Sequence, residues 1–435
     1  SVAGLERGVR IEGVVRHSDT GLLADRRGAE TSFSEASTRS SAFARLESVL
    51  GTPDEATSLS SRFSQFEAAL VSAAAAPESN ARLEEVRRTA DALVSTLRET
   101  TDGIQEERLR ADRAIASQVD TLNSNLEQIQ KLNGSIGNQG ALGRDVSGLM
   151  DQRQELIDEI AAIVPVRVSQ RPHGQLALYT PGGVALLDTS AATIDFTPSN
   201  QIVPEMTLAS GGLSSLTVNG RAVDLEDLVG PTRGSALSAN LSMRDAHAPE
   251  VQAQIDGIAR DLIERFEPLG DPVTGLGLFV DGAAPFDPAN EAAVSSRIAI
   301  NPVVDPDQGG ATYRIRDGLD ATVTGSVGDN TRLTALHTAL VELRPTGSSA
   351  FPTTSFSASA LVTEALSGVG TARQAAERDS AHFGARFETL KAAELRNGVD
   401  SDYEMQQLLL VEAAYAANAR VIQTVDEMID RLMRL

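Results

Sequence analysis

The chain has 435 residues, enough for two or three domains that each bury a core of their own. It contains no cysteine, which excludes disulfide frameworks, thiolate metal sites and cysteine nucleophiles. The formal net charge of -22 disfavours binding to nucleic acid and to anionic membrane surfaces, because both depend on clustered lysine and arginine. Aromatic residues make up only 4%, a balance typical of long helices packed through small side chains.

Membrane-spanning and secretory segments are not visible in the sequence. No apolar run approaches the roughly 20 residues that a helix needs to cross a bilayer. Residues 1–10 lack a basic region followed by an apolar stretch, so no cleaved secretory signal is predicted. Three interpretations stay open: a cytoplasmic protein, export by a route that needs no such signal, or a chain without its native start.

Helical character dominates residues 1–165, which we predict to form an N-terminal helical body. Apolar residues recur at steps of three and four over 83–132, and this spacing predicts a helix of about 75 Å, typical of a bundle or coiled coil. Four glycines are expected to break that helix: Gly134, Gly137, Gly140 and Gly143. A second amphipathic helix is predicted over 145–164.

Short alternating apolar runs begin at residue 166, and they predict a small antiparallel β domain over 166–233. The expected strands are 166–168, 176–179, 184–187 and 213–218, with turns at Gly182-Gly183, Gly211-Gly212 and Asn219-Gly220. Helical spacing returns over 234–267, a helix that we expect to rejoin the helical body. Residues 268–327 are interpreted as β and loop structure belonging with the inserted domain, with strands at 298–300 and 313–315.

The last hundred residues again carry helical spacing, which predicts a C-terminal helical body over 328–400 and a terminal coiled-coil helix over 401–435. The predicted fold class is therefore mainly α with an inserted β domain, in which both chain ends build a long helical bundle or coiled-coil body. A regular three-four step marks a seam on the last helix: Leu408, Val411, Tyr415, Asn418, Ile422, Val425, Ile429 and Leu432. We interpret this seam as an assembly and chaperone-binding surface, in which Asn418 fixes the register. An ordinary amphipathic helix packed on its own domain is the alternative.

Signals for catalysis, cofactors or metals are weak throughout the chain. The five histidines are scattered, and no nucleophile elbow, phosphate loop or dinucleotide fingerprint occurs. The segment 305–310 resembles the start of a calcium loop, but its twelfth position is Arg316 instead of glutamate, so we expect a turn. The acidic segment 151–159 is interpreted as a solvated helix face. We therefore predict no catalytic residue, no cofactor and no metal site.

The end of the chain is similar to the carboxyl-terminal signature of flagellar axial proteins. The matching residues are Asn397-Gly398-Val399-Asp400-Ser401-Asp402-Tyr403-Glu404-Met405, Leu408-Leu409, Tyr415, Asn418-Ala419-Arg420-Val421-Ile422, Thr424 and Met428. Rod, hook and hook-associated proteins share this signature. Four further segments resemble the hook-associated protein 1 family in particular: 149–160, which leads into 166–168 and 182–187, and also 234–245. Ser401, Tyr403 and Glu412-Ala413 depart from the usual signature.

The resemblance implies an extracellular structural subunit, exported by the flagellar type III apparatus, that forms a ring on the distal end of the hook and joins hook to filament. Its implied partners are its own copies, the hook protein, the second hook-filament junction protein and an export chaperone. The family begins with a helix that pairs with the carboxyl-terminal helix, and nothing like it precedes Ser1, so we expect a chain truncated at its start. The alternatives are another flagellar axial protein (a second junction protein or a flagellin-like subunit), an exported enzyme, and a secreted coiled-coil adhesin or effector.

Overall fold

Helices run through most of the computed structural model, which describes residues 19–230, 234–397 and 401–432. The side chains of residues 397, 401–408, 426, 430 and 432 lie outside this description. The helices are α1 Thr20–Leu50, α2 Leu59–Ala75, α3 Asn80–Ala141, α4 Ser147–Ile163, α5 Leu225–Val229, α6 Ala236–Ser242, α7 Ala248–Phe266, α8 Val294–Arg297, α9 Tyr313–Asp317, α10 Thr331–Val341, α11 Ala358–Asn397 and α12 Ser401–Leu432. A π-helical turn, Met243–His247, joins α6 to α7.

The strands are short and form small antiparallel sheets. They are β1 Arg167–Gln170, β2 Leu176–Tyr179, β3 Ala185–Leu187, β4 Ile194–Asp195, β5 Thr217–Val218, β6 Arg221–Ala222, β7 Phe279–Asp281, β8 Ile298–Ile300, β9 Arg344–Pro345 and β10 Ser355–Phe356. The sheet orders are β1-β2-β3, β4-β5-β6, β7-β8 and β10-β9. The prediction of a mainly helical chain with small antiparallel sheets is thereby confirmed.

The spine of the molecule is α3, a helix of 62 residues that is about 93 Å long at 1.5 Å per residue. It continues through Gly134, Gly137 and Gly140, so the prediction that these glycines break it was wrong. Tertiary contacts explain the difference at Gly134 and Gly137: Ile136 is buried, and the side-chain amide of Asn133 donates to the carbonyl of Leu176 at 2.8 Å. Such contacts offset the roughly 1 kcal/mol that each helical glycine costs.

Two hydrophobic clusters lie one after the other along α3. The first combines the first half of α3 with α2, α7, α10 and α11, and includes Leu46, Phe66, Leu93, Ile258, Phe279, Leu333 and Leu361. The second combines the later half of α3 with α4, α6 and the strands β2 to β5, and includes Ile115, Leu122, Ile157, Leu178, Leu187, Val218 and Leu237. The helix predicted over 234–267 therefore contributes to both clusters, α6 to the second and α7 to the first.

The segment 268–327 packs differently from the prediction that it belongs with the inserted β domain. Phe279 stacks edge-on against Phe66 and Phe266 at 5.6 and 5.2 Å, inside the helical cluster. The predicted strand at 298–300 is confirmed as β8, which pairs with β7. The strand predicted at 313–315 was wrong, because these residues begin the helix α9, whose Ile315 is buried in the first cluster.

Helices from the two halves of the chain pair along the outside of the body, where α1 packs antiparallel to α11. Their pairing is tied by Arg39 with Asp379 at 2.6 Å and by Arg373 with Glu47 at 2.8 Å. The rings of Phe33 and Phe387 stack with centroids 6.0 Å apart. Both clusters share α3 and the α6–α7 helix, so their packing defines no boundary between separate domains. The predicted domain boundaries therefore stay predictions.

Candidate assembly surface

The terminal helix α12 exposes large apolar side chains along its length. The exposed fraction ranges from 43% at Val425 to 76% at Tyr415 among five of them: Val411, Tyr415, Ile422, Val425 and Ile429. Their spacing of four, three and seven residues places them on one face of the helix, together with the exposed Asn418. Leu408 and Leu432 continue the spacing, but their side chains lie outside the described residues.

The exposed face of α12 is wider than the predicted seam. Val421 and Met428 each directly precede a seam residue and are 59% and 60% exposed. In heptad terms they occupy the g position, which would bring three positions of seven into contact with partners instead of the two of a simple two-stranded coil. Sequence reasoning missed these two residues, although the same heptad register marks them. Leu409, also exposed, lies on the opposite face.

Other candidate chemistry is absent or already satisfied in the described part of the chain. The described residues contain no group of three or more His, Asp or Glu side chains that could hold a metal ion. At the calcium-like segment, Asp305 accepts hydrogen bonds from the amide of Asp307 and the side chain of Gln308 and lies 3.5 Å from Arg87, so it forms the predicted turn. In the acidic segment, Asp158 pairs with Arg27 at 2.6 Å.

The histidines do not converge. His337 lies 3.5 Å from Glu67, whereas His247 packs on the ring of Phe43 at 5.3 Å. Burial lowers the pKa of His247. In the ranges 19–230, 234–397 and 401–432, no helix has the length and apolar character needed to span a membrane. The broad apolar face of α12 is thus the feature of the described chain that most clearly indicates a binding surface.

Comparison with known families places this surface in context. Residues 43–270 match the family described as flagellar hook-associated protein FlgK helical domain, over more than half of the chain. The chain belongs to the flagellar hook-associated protein FlgK family. Residues 396–435, which include all of α12, match the C-terminal region of flagellar basal body rod FlgEFG proteins. The predicted family is confirmed.

Individual relatives agree with this FlgK family membership. Flagellar hook-associated protein 1 of Salmonella typhimurium is 27% identical over 350 residues, covering 75% of this chain and 60% of the relative. The Bacillus subtilis protein of the same name is 24% identical over 454 residues, covering 98% of this chain and 85% of the relative. This chain therefore spans about 60% of the length of its Salmonella relative.

A solved structure shares the fold. The flagellar hook junction protein FlgK from Burkholderia pseudomallei superposes with a TM-score of 0.50 at 20% sequence identity, covering 60% of this chain and 47% of that one. At this identity the likeness concerns the fold alone. It agrees with a helical body that carries small antiparallel sheets.

Proposed function

We propose that the chain is a structural subunit of the bacterial flagellum that assembles as a ring at the distal end of the hook and joins hook to filament. The observation that carries this proposal is an uncovered apolar face on α12 in a chain of the FlgK family. Its position in a region similar to rod-protein C-termini supports a role for that face in axial assembly. No catalytic step is part of the proposed function.

The seam supplies the energy of assembly in this proposal. Each large apolar side chain that passes from water into an interface contributes roughly 1.5 to 3 kcal/mol, less in proportion to the part already covered. Tyr415 and Ile422, at 76% and 63% exposure, retain most of that potential in the isolated chain. Asn418 would set the register of the helix against its partner, because a misaligned asparagine is left without a hydrogen-bond partner.

The proposed partners are those that the resemblance to hook-associated proteins implies, with the face of α12 as the place where they would bind. Copies of the chain itself, the hook protein and the second hook-filament junction protein would cover the face of α12 after assembly. Before assembly, an exposed apolar face of this size favours aggregation, so we propose that an export chaperone covers it. Export through the flagellar type III apparatus and an extracellular location in the flagellum belong to the same proposal, as does an outward-facing position for residues 166–233.

The test is complementation of cells that lack the gene, with swimming assays and electron microscopy of the hooks. We expect deletion to leave hooks without filaments, and the wild-type gene to restore filaments. A variant carrying Ile422→Asp and Ile429→Asp should not restore them, because each aspartate places a charge in the buried seam.

Leu409→Asp is the matched control, since it replaces an equally exposed apolar residue on the opposite face of α12. This control should restore filaments. Normal filaments in the deletion strain would contradict the junction function and favour a secreted adhesin or effector. Restored filaments with the double aspartate variant would contradict the seam as the assembly surface. If the purified double variant keeps the melting temperature of the wild type, the loss of filaments concerns assembly and not folding.

A further inference from the structure

The final turns of α11 are weakly packed. Ala376 is fully buried, but none of the residues from 377 to 396 is. The ring of Phe387 stacks on Phe33 of α1, so the part that apolar packing does least to fix is the stretch beyond Phe387. The length from Phe387 to Asn397 is about 15 Å, so a swing of about 10° at Phe387 would move the end of α11 by about 3 Å.

Arg26 joins the last stretch of α11 to the rest of the body, beyond the Arg39–Asp379 ion pair and the Phe33–Phe387 ring stack. Arg26 of α1 is only 6% exposed. Its guanidinium group pairs with Asp158 of α4 at 2.5 Å, with Glu30 of its own helix at 2.7 Å, and through Nε with Glu394 of α11. The contacts of Nε with Glu394 and of Nη2 with Asp158 are ion pairs and not hydrogen bonds, because neither nitrogen has a hydrogen-bond partner. The link to α11 is therefore electrostatic.

The α4 side of this junction is held independently. Arg27 donates to Asp158 at 2.6 Å, and the hydroxyl of Thr31 donates to the carbonyl oxygen of Ala161 at 2.5 Å. Both contacts join α1 to α4 without involving α11. Glu394 is the member of the junction that belongs to α11, three residues before that helix ends and seven before α12 begins.

We propose that Arg26 is a positioning residue, which through Glu394 fixes the direction in which α11 leads the chain toward the assembly helix α12. With Arg26 in place, three carboxylates from three helices converge on one cation. Without it, Glu30, Asp158 and Glu394 would face one another as like charges, and α11 has no buried side chain in this region to resist separation. Only the consequence for assembly rests on the proposed function; the positioning of α11 does not.

The absence of cysteine makes a direct test possible, because spin labels can be attached at introduced cysteines alone. Gln152→Cys on α4 and Ala392→Cys on α11 are suitable sites, since both residues are exposed and neither belongs to the junction. Double electron–electron resonance on the full chain then measures the distance between α4 and the end of α11. We expect one narrow distance in the otherwise wild-type protein.

Arg26→Gln and Glu394→Gln should both abolish the single narrow distance and give a broad distribution. Glu394→Gln is the decisive variant, because it removes the link to α11 and leaves Arg26 paired with Asp158 and Glu30, so the fold is retained. Arg373→Gln is the matched control: it breaks an ion pair of the same two helices with Glu47, but at the well-packed end. The distance should stay narrow in this control, at a melting temperature similar to that of Glu394→Gln.

A narrow distance in Glu394→Gln, or an equally broad one in Arg373→Gln, would overturn the positioning role of Arg26. The result is independent of assembly. If the distance broadens in Glu394→Gln while the seam variant of α12 still builds filaments, the positioning role stands and only the proposed function fails. If the seam variant abolishes filaments while the distance in Glu394→Gln stays narrow, the proposed function stands and the positioning role fails.

Discussion

Arg244 lies in a buried charged layer between the two hydrophobic clusters, and replacing it with methionine should strongly destabilise the body. Its Nη1 lies 2.7 Å from Asp112 Oδ1, and both side chains are 0% exposed. Nη2 also donates to the carbonyl of Ser214 at 3.1 Å, and Asp112 accepts the amide of Ser199 at 2.7 Å. This pair therefore holds both ends of the long loop between β4 and β5 against α3.

The expected magnitude follows from what Arg244→Met leaves behind. Methionine fills much of the volume of the arginine stem, so the cavity term is small. Asp112, however, would remain fully buried without its cation, and breaking a buried ion pair by removing one partner costs about 3–5 kcal/mol. Removing both charges with Arg244→Met and Asp112→Leu together should recover part of that loss, because the charge of Asp112 no longer remains buried. Asp245, which pairs with Arg244 at 2.8 Å and is partly exposed, loses its cation in both variants.

Urea denaturation followed by circular dichroism measures these free energies of unfolding. Limited proteolysis provides a local readout, since the loop 199–214 should become cleavable in the single variant. Arg113→Met, an exposed arginine one residue away on α3, is the control and should leave the unfolding midpoint unchanged. Equal losses in the single and double variants would refute the reasoning, because they would assign the stability to packing of the arginine and not to its charge.

Two further predictions concern a helix contact and a pH effect. On α3, Gly103→Ala should lower the free energy of unfolding by about 1–3 kcal/mol, because the new Cβ would lie 2.6 Å from Val49 of α1. Gly134→Ala on the same helix meets open space and should raise the free energy of unfolding by up to about 1 kcal/mol. If the urea midpoints of the two glycine variants moved in the same direction, this contrast would be contradicted. Burial lowers the pKa of His247 below its ordinary value of 6.5, so protonation of the unfolded chain should reduce stability as the pH falls below 6.5. His247→Gln should weaken this acid dependence of the urea midpoint, and an unchanged dependence would exclude His247 as its source.

The sequence predicts the long helices because their apolar spacing is sustained over many turns. The apolar stripe from Leu83 to Leu132 is too long to be confused with a strand, and the helix α3 contains all of it. Prediction fails where the signal is short or purely local. Tyr313-Arg314-Ile315 alternates like a strand, but a run of three residues cannot separate strand from helix, and burial of Ile315 satisfies either. Gly134 and Gly137 are kept in α3 by the tertiary contacts of Asn133 and Ile136, which spacing cannot reveal.

The candidate site likewise has features that the sequence predicts and features that it does not. The seam of α12 follows from a heptad step within one helix, which is local information, and so do the flanking Val421 and Met428. The junction of Arg26 with Glu394 joins residues at opposite ends of the chain, and the pair of Asp112 with Arg244 joins two separate helical segments. Charged residues at such positions have the spacing of ordinary surface residues, so their burial becomes visible only when the helices are packed.

Folding and the proposed assembly draw on different apolar surfaces in this chain. The two clusters of the body are complete without α12, since α2, α4, α7 and α11 already cover the buried faces of α3. None of the described side chains of α12 belongs to either cluster. If that face is the assembly surface we propose, we expect substitutions in it to change the energy of association while leaving the stability of the body intact. Such a separation would allow a subunit to be folded before it is assembled. The proposed positioning role of Arg26 would then make its junction with the end of α11 the place where folding and assembly are coupled.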